Sequence, residues 1–205
     1  ATTQYVDIIP TLLDAIGEDP SRINVGISDN EGNNGFDGKS FFSALMGKAK
    51  HHREFTFGVH TTRGVINGSE SYPIRSVRSD RYKYIQNLSH EKIFYNVITA
   101  KEAGRPGYLL YESWLENAKN EQELSWVKQY KKRPFEELYD LKKDPYEKNN
   151  LAQDPDYFEI KKDLESQLKS WMQQQGDLGV ETEMKAVTRQ HRKGKWLSYK
   201  EKIKS

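Results

Sequence analysis

Residues 54–60 read Glu-Phe-Thr-Phe-Gly-Val-His and put Phe55, Phe57 and Val59 on one side. A period of two predicts a strand with one face in a core. Similar runs follow at 72–78, 81–88 and 135–141. The second and third meet at Ser79-Asp80, so they predict two antiparallel neighbours. Elsewhere the spacing is three and four. Val6, Ile9, Leu12, Leu13 and Ile16 predict a helix that Gly17 stops. Pro10 fits that helix only in its first turn, which moves the start to about Ile9. A short helix is predicted over 41–46, ended by Gly47, and two more over 108–116 and 121–130. The longest spans 155–175. It has Asp154 as N-cap, Pro155 in the first position, one face of Tyr157, Ile160, Leu164, Leu168 and Trp171, and Gly176 as the stop.

The fold expected from this pattern is α+β: a four-stranded antiparallel sheet with the long C-terminal helix across one face. Such a sheet is covered on one side and wet on the other, as alternation requires. Between the periodic runs lie loops at 18–40 and 61–71, rich in Gly, Asn, Asp, Ser and Thr. Residues 93–107 follow neither period. Residues 181–205 are polar and basic with Trp196 the only large anchor, and partial helix or disorder is expected there.

Only 35% of the residues are hydrophobic and the mean hydropathy is -0.91, polar for a compact domain. Twelve Tyr, eight Phe and four Trp offset this, since each buries a large area. The net charge of +2 balances 32 basic against 30 acidic residues, so no nucleic-acid partner is indicated. The lack of cysteine removes disulfides and thiolate metal sites. No run of 18 apolar residues crosses a membrane.

The polar set with most chemistry is Val59-His60-Thr61-Thr62-Arg63-Gly64. A strand ends there and delivers an imidazole, two hydroxyls and a guanidinium into a loop. Arginine forks suit sulfate and carboxylate oxygens, and a histidine at a strand end can bond a sugar hydroxyl. Arg75 and Arg78 read first as charges on a solvated strand face. Asp29-Asn30-Glu31-Gly32-Asn33 hints at a calcium loop, but its glycine is misplaced and the distal bidentate Glu is missing, so a plain loop is favoured. His51-His52 reads as a solvated turn. No G-x-S-x-G elbow occurs. Asn67-Gly68-Ser69 and Asn87-Leu88-Ser89 match the short glycosylation pattern. The basic run at 189–195 reads as a solvated tail, with contact to a polyanionic glycan as the minor alternative.

Residues 136–152, EELYDLKKDPYEKNNLA, describe a strand that stops at a proline-fixed turn and hands over to a helix. This stretch closely resembles a segment near the C-terminus of the type I, formylglycine-dependent sulfatases of the alkaline-phosphatase superfamily. Three more stretches resemble that family in order. They are Val6-Asp7-Ile8-Ile9-Pro10-Thr11-Leu12-Leu13, Asp37-Gly38-Lys39-Ser40-Phe41, and Ser71-Tyr72-Pro73-Ile74-Arg75 with the basic-aromatic run at 81–88. The last is most like the N-sulfoglucosamine sulfohydrolases, the heparan sulfamidases.

The resemblance implies the C-terminal part of a hydrolase of sulfate esters or sulfamates on sulfated glycans. It implies residues 1–40 as the end of a catalytic α/β domain, 41–178 as the C-terminal α+β subdomain and 179–205 as a polar basic tail. It places His60, Arg63, Tyr72 and Arg75 near substrate. The family's nucleophile, a formylglycine, forms from Cys or Ser in a C/S-x-P/A-x-R context. Glu18-Asp19-Pro20-Ser21-Arg22 keeps only Pro-Ser-Arg, and the carboxylate of Glu18 cannot become an aldehyde hydrate. No catalytic residue, metal ligand or cofactor is therefore expected in this chain; calcium and formylglycine are expected in the N-terminal catalytic domain. That domain and a sulfated glycan are the expected partners, with self-association through the apolar side of the first helix. A periplasmic or otherwise exported location is implied. The alternative is an autonomous, non-catalytic glycan-binding or structural module.

Overall fold

The computed structural model describes residues 1–63, 65, 68–100 and 107–186. Its architecture is α+β. Strands β1 (Thr56–His60), β2 (Ile74–Arg78), β3 (Tyr82–Asn87) and β4 (Glu136–Asp140) form one antiparallel sheet in that order. All four expected strands are present, each slightly shorter than its apolar run. β2 starts at Ile74 because Pro73 has no N–H for the ladder. The register aligns Phe57 with Val77, Val77 with Tyr84, and Tyr84 with Leu138. One row of apolar side chains thus crosses the whole sheet.

The helices are α1 (Ile8–Ala15), α2 (Phe42–Leu45), α3 (Gly107–Asn117), α4 (Glu121–Gln129), α5 (Phe158–Gln174) and α6 (Val180–Lys185). α5 covers the apolar row. Its Leu164 and Leu168 join Val77, Tyr84, Leu138 and Ala152 in the buried cluster. Each large side chain buried there contributes about 1.5–3 kcal/mol. Phe57 stacks on Trp171 with centroids 4.9 Å apart. The start of α5 follows its sequence: Asp154 accepts the Asp156 N–H at 3.0 Å, and Pro155–Tyr157 makes a 3-10 turn before the α-helix. Gly176, with φ of 62°, ends it.

The segment after β4 closes the sheet's edge. The Asn150 amide oxygen accepts the N–H groups of Leu138 (2.9 Å) and Ala152 (3.0 Å), while its nitrogen donates to the Glu136 carbonyl at 3.0 Å. One side chain so imitates a neighbouring strand and satisfies an edge that would otherwise invite pairing. Arg81 forks onto Asp140 at 2.7–3.2 Å from the adjacent strand.

The N-terminal segment hangs on Asp7, which is fully buried. Its carboxylate accepts the backbone N–H groups of Gln4 and Lys39, both at 2.9 Å, and the Arg53 Nε. His52 Nε2 lies 3.1 Å away. Gly38 is required beside it, since a Cβ there would stand 1.8 Å from the Val6 carbonyl oxygen. Pro10 sits in the first turn of α1, as its chemistry demands. The outer side of α1 is bare: Leu12 is 57% and Ile16 76% exposed, and Ile9 joins them.

Burial alone would raise the Asp7 carboxyl, but Arg53, the two backbone N–H groups and His52 outweigh it and hold it well below the usual range. A carboxyl depressed on folding stabilises the fold above its unfolded value near 4 and ceases to do so as pH falls through the folded value. Urea unfolding of wild type and Asp7→Asn should therefore differ most at pH 7. The gap should narrow as pH drops below about 4. A gap that stays constant from pH 7 to pH 3 would contradict this account.

Candidate functional site

His60 closes β1, paired with Ile74. The strand end is fixed from below. Arg75 is 2% exposed, and its Nη1 donates to the carbonyls of His60 (3.3 Å) and Ile74 (3.1 Å). The other side of the same guanidinium forks onto Asp177, with Nη2 to Oδ1 at 3.1 Å and Nε to Oδ2 closer still. Burial would raise the Asp177 carboxyl; Arg75 and the Gly179 N–H bring it below the ordinary value. Arg75 is thus no solvated-face charge. It sets where His60 ends up.

A second buried acid fixes the loop after His60. Glu183 of α6 is 2% exposed. Its Oε1 accepts the N–H groups of Thr62 (3.1 Å), Arg63 (3.2 Å) and Tyr72 (3.0 Å), and the Thr62 hydroxyl at 3.2 Å. The start of the segment expected as a tail is therefore helical and tied into the interior. The basic run at 189–195, Trp196 and Asn67 lie outside the described residues.

The Phe94 ring is the floor of the site. Tyr72 meets it edge-on at 5.2 Å, His60 lies at 5.6 Å, and the Arg133 guanidinium sits over it at 5.0 Å. Tyr72 is completely buried; burial pushes its phenol up, partly opposed by the Arg133 charge. His60 keeps an exposed side. Partial burial first, then the Arg133 charge, lower its imidazole below the usual value; Glu183 works the other way and Arg75 adds to the lowering. At neutral pH the ring is consequently uncharged and can both donate and accept. Arg63 is half-buried, with Nη1 3.1 Å from Glu70 Oε1. A cleft of about 380 Å³ lined by Ser69, Glu70, Ser71, Glu91, Lys92, Ile93 and Tyr95 includes that Glu70.

Of the four residues singled out by sequence, His60 and Arg63 have accessible surface, while Tyr72 and Arg75 are buried. Sequence reasoning missed Asp177, Glu183, Phe94 and Arg133. Asp177 follows the Gly176 stop and Arg133 precedes Pro134, but no local pattern links either to His60.

The other motifs resolve into structural roles. Asp29 accepts the N–H groups of Glu31 and Asn33, the Asn33 amide and the Gln174 amide at 2.9–3.1 Å. Asn33 above all holds its carboxyl at about 2, and the loop itself uses the oxygens. Pro20–Arg22 is a 3-10 turn, its Ser21 N–H bonded to Asp19. His52 is a partner of Asp7 and not part of a solvated turn. Asn87 is fully buried against Pro134 and Glu137, which leaves no room for a glycan. Among the described residues no group of three or more His, Asp or Glu stands ready for a metal.

Glu183→Ala would strip one acceptor from three amides, those of Thr62 and Tyr72 buried and that of Arg63 partly so. A loss of about 2–5 kcal/mol is expected, from leaving buried donors unsatisfied. Hydrogen exchange should speed up at Thr62, Arg63 and Tyr72 more than at β3. Unchanged protection of those three amides would show that the carboxylate does not hold the loop.

No family model matches the chain. Curated relatives do. An ulvan-active sulfatase of Formosa agariphila is 34% identical over 175 residues, 85% of this chain and 29% of the relative. A second ulvan-active sulfatase of that organism is 32% identical over 84% of this chain and 26% of its own length. The human N-sulphoglucosamine sulphohydrolase is 30% identical over 113 residues, 49% of this chain and 20% of that protein. Among solved structures, a 2-O GAG sulfatase overlays with a TM-score of 0.47 at 23% identity, covering 83% of this chain and 25% of that one. The phosphonate monoester hydrolase of Agrobacterium radiobacter gives 0.42 at 22% identity, over 80% and 23%. The chain spans less than a third of the length of the curated relatives it matches. Over the matched residues, it belongs to the sulfatase family.

Proposed function

We propose that this chain is the C-terminal subdomain of an exported sulfatase that hydrolyses sulfate esters or sulfamates of sulfated glycans, and that it contributes recognition, not the nucleophile. The observation that carries the reading is His60. An uncharged imidazole stands at the end of a sheet strand, accessible on one side, on a backbone whose His60 carbonyl is held by Arg75 and, through it, Asp177. A ring so placed can donate to or accept from a sugar hydroxyl. Arg63 offers charge at the same rim. Tyr72 and Arg75 act beneath them by holding the strand end and its loop in place. The relatives, named for ulvan and N-sulphoglucosamine, support a sulfated saccharide as the substrate class.

The formylglycine and calcium belong, in this reading, to the catalytic domain, where they supply the nucleophile and hold the sulfate. Residues of the present chain bind and orient the sugar next to that centre. The bare side of α1, with Ile9, Leu12 and Ile16, is the surface that the catalytic domain covers. In its absence the same surface drives self-association.

Two measurements test the proposal. The isolated, contaminant-free chain should turn over neither an aryl sulfate nor a sulfated disaccharide; turnover would overturn the division of labour. In the full-length enzyme, His60→Ala should lower kcat/KM on the glycan at least severalfold, the loss of one hydrogen bond worth roughly 0.5–3 kcal/mol. The effect should be smaller on an aryl sulfate too short to reach the loop. Wild-type kinetics on the glycan with intact circular dichroism would remove His60 from the site. Glycan binding by the chain with no sulfatase activity in the whole protein would favour the autonomous module.

A further inference from the structure

Among the described residues Arg133 is a cation without an acid: none of their carboxylates forms an ion pair with it, and its Nε is shielded from water without a hydrogen-bond partner. The acids whose charges act with Arg133 on Tyr72 and His60 are engaged elsewhere: Glu137 takes the amide of Asn87 and the Tyr139 hydroxyl, Glu91 lies 3.7 Å from His90, and Glu183 takes three backbone N–H groups. Buried donors left bare in a native protein are uncommon and call for an occupant.

The position of Arg133 is set from both sides of the chain. Asn87 donates to the Pro134 carbonyl at 2.7 Å, and the Phe94 N–H donates to the Lys131 carbonyl at 2.8 Å. The guanidinium then lies over Phe94 at 5.0 Å and over Tyr130 at 5.6 Å. Stacking uses the faces of a guanidinium and leaves the in-plane N–H edge for an acceptor. His60 meets the same Phe94 ring at 5.6 Å. One fixed cation and one adaptable imidazole therefore pack against a single buried aromatic ring. Two oxygens of a sulfate or carboxylate match the arginine fork. An anion there also favours the protonated form of His60, so the second partner strengthens on binding.

We propose that Arg133 and His60 form a subsite over Phe94 for an anionic substituent of the saccharide, a sulfate or a uronate carboxylate, distinct from the sulfate being cleaved. That the ligand is a saccharide rests on the function proposed above; that the subsite takes an oxyanion does not.

The full-length enzyme tests it on three saccharides that share the scissile sulfate. One carries a second sulfate, one a carboxylate and one neither. Arg133→Gln should raise KM about tenfold for a substrate with the extra anion, with kcat moving less than twofold. The rise should be several times smaller for the neutral-tailed substrate, which meets the site through His60 alone. Arg133→Lys should recover part of the loss by restoring charge without the fork. The substrate that suffers identifies the oxyanion. Equal losses on all three, or none on any, would overturn the proposal.

A second readout needs no turnover. The charges facing His60 are Arg133, Arg75 and Glu183. In a sodium sulfate titration followed by the His60 ring signals in NMR, sulfate should raise the imidazole pKa of the wild type. Arg133→Gln should raise it without sulfate and abolish the response to sulfate. A full sulfate response in that variant would refute the subsite. Should the protein hydrolyse no sulfated substrate, the sulfatase reading fails and this titration alone still decides the role of Arg133.

Discussion

The contact of α5 with the sheet is the constraint everything else depends on. Leu164 and Leu168 press on Val77, Tyr84 and Leu138, so three strands and the longest helix share one apolar layer. The chain is polar overall, and this layer is its main concentrated hydrophobic resource. β1 lies at the rim of it and is reached through Phe57 and its stack with Trp171. The direction in which His60 leaves the sheet therefore follows from packing several residues back along the strand.

Beyond that layer, order is imposed by acids with several donors each. Asp7 gathers the first helix, the Gly38 loop and the run leading into β1. Glu183 gathers both ends of the loop between β1 and β2. Asp177 holds Arg75, and Asp140 holds Arg81. Buried ionic contacts of this kind add little net stability, since desolvation offsets much of the attraction. Their contribution here is position: each makes one loop geometry much better than its alternatives. Polar loops that make up much of the chain thereby acquire definite shapes away from that layer.

The sheet was legible in the sequence because alternation and turn residues are local signals. Phe55-Thr56-Phe57, the Ser79-Asp80 turn and the Asp154-Pro155 start of α5 each carry their own instruction. The sulfatase-like stretch at 136–152 was legible as a motif, although the edge-covering task of Asn150 was not. The candidate site was half visible. His60 and Arg63 stood out as polar groups at a strand end. Their supports did not, because Glu183 reaches Thr62 across 121 positions and Asp177 reaches Arg75 across 102. Arg75 read as a solvated-face charge for the same reason: an arginine with a distant buried partner looks, in sequence, like one facing water. Arg133 was invisible for a different cause, since its aromatic floor comes from Phe94 and Tyr130 on other segments.

Both flanks of the sheet carry an amide side chain from outside it. Gln4 donates to the Phe57 carbonyl on β1 at 2.9 Å, and Asn150 occupies the far flank at β4. A sheet trimmed on each side in this way offers little template for recruiting another chain, so amyloid-type stacking is disfavoured even in a concentrated solution. Evolution has correspondingly little scope to widen it by adding a fifth strand without first dismantling a trim. New binding specificity is then most readily acquired in the connections between strands, which is where His60, Thr62 and Arg63 lead.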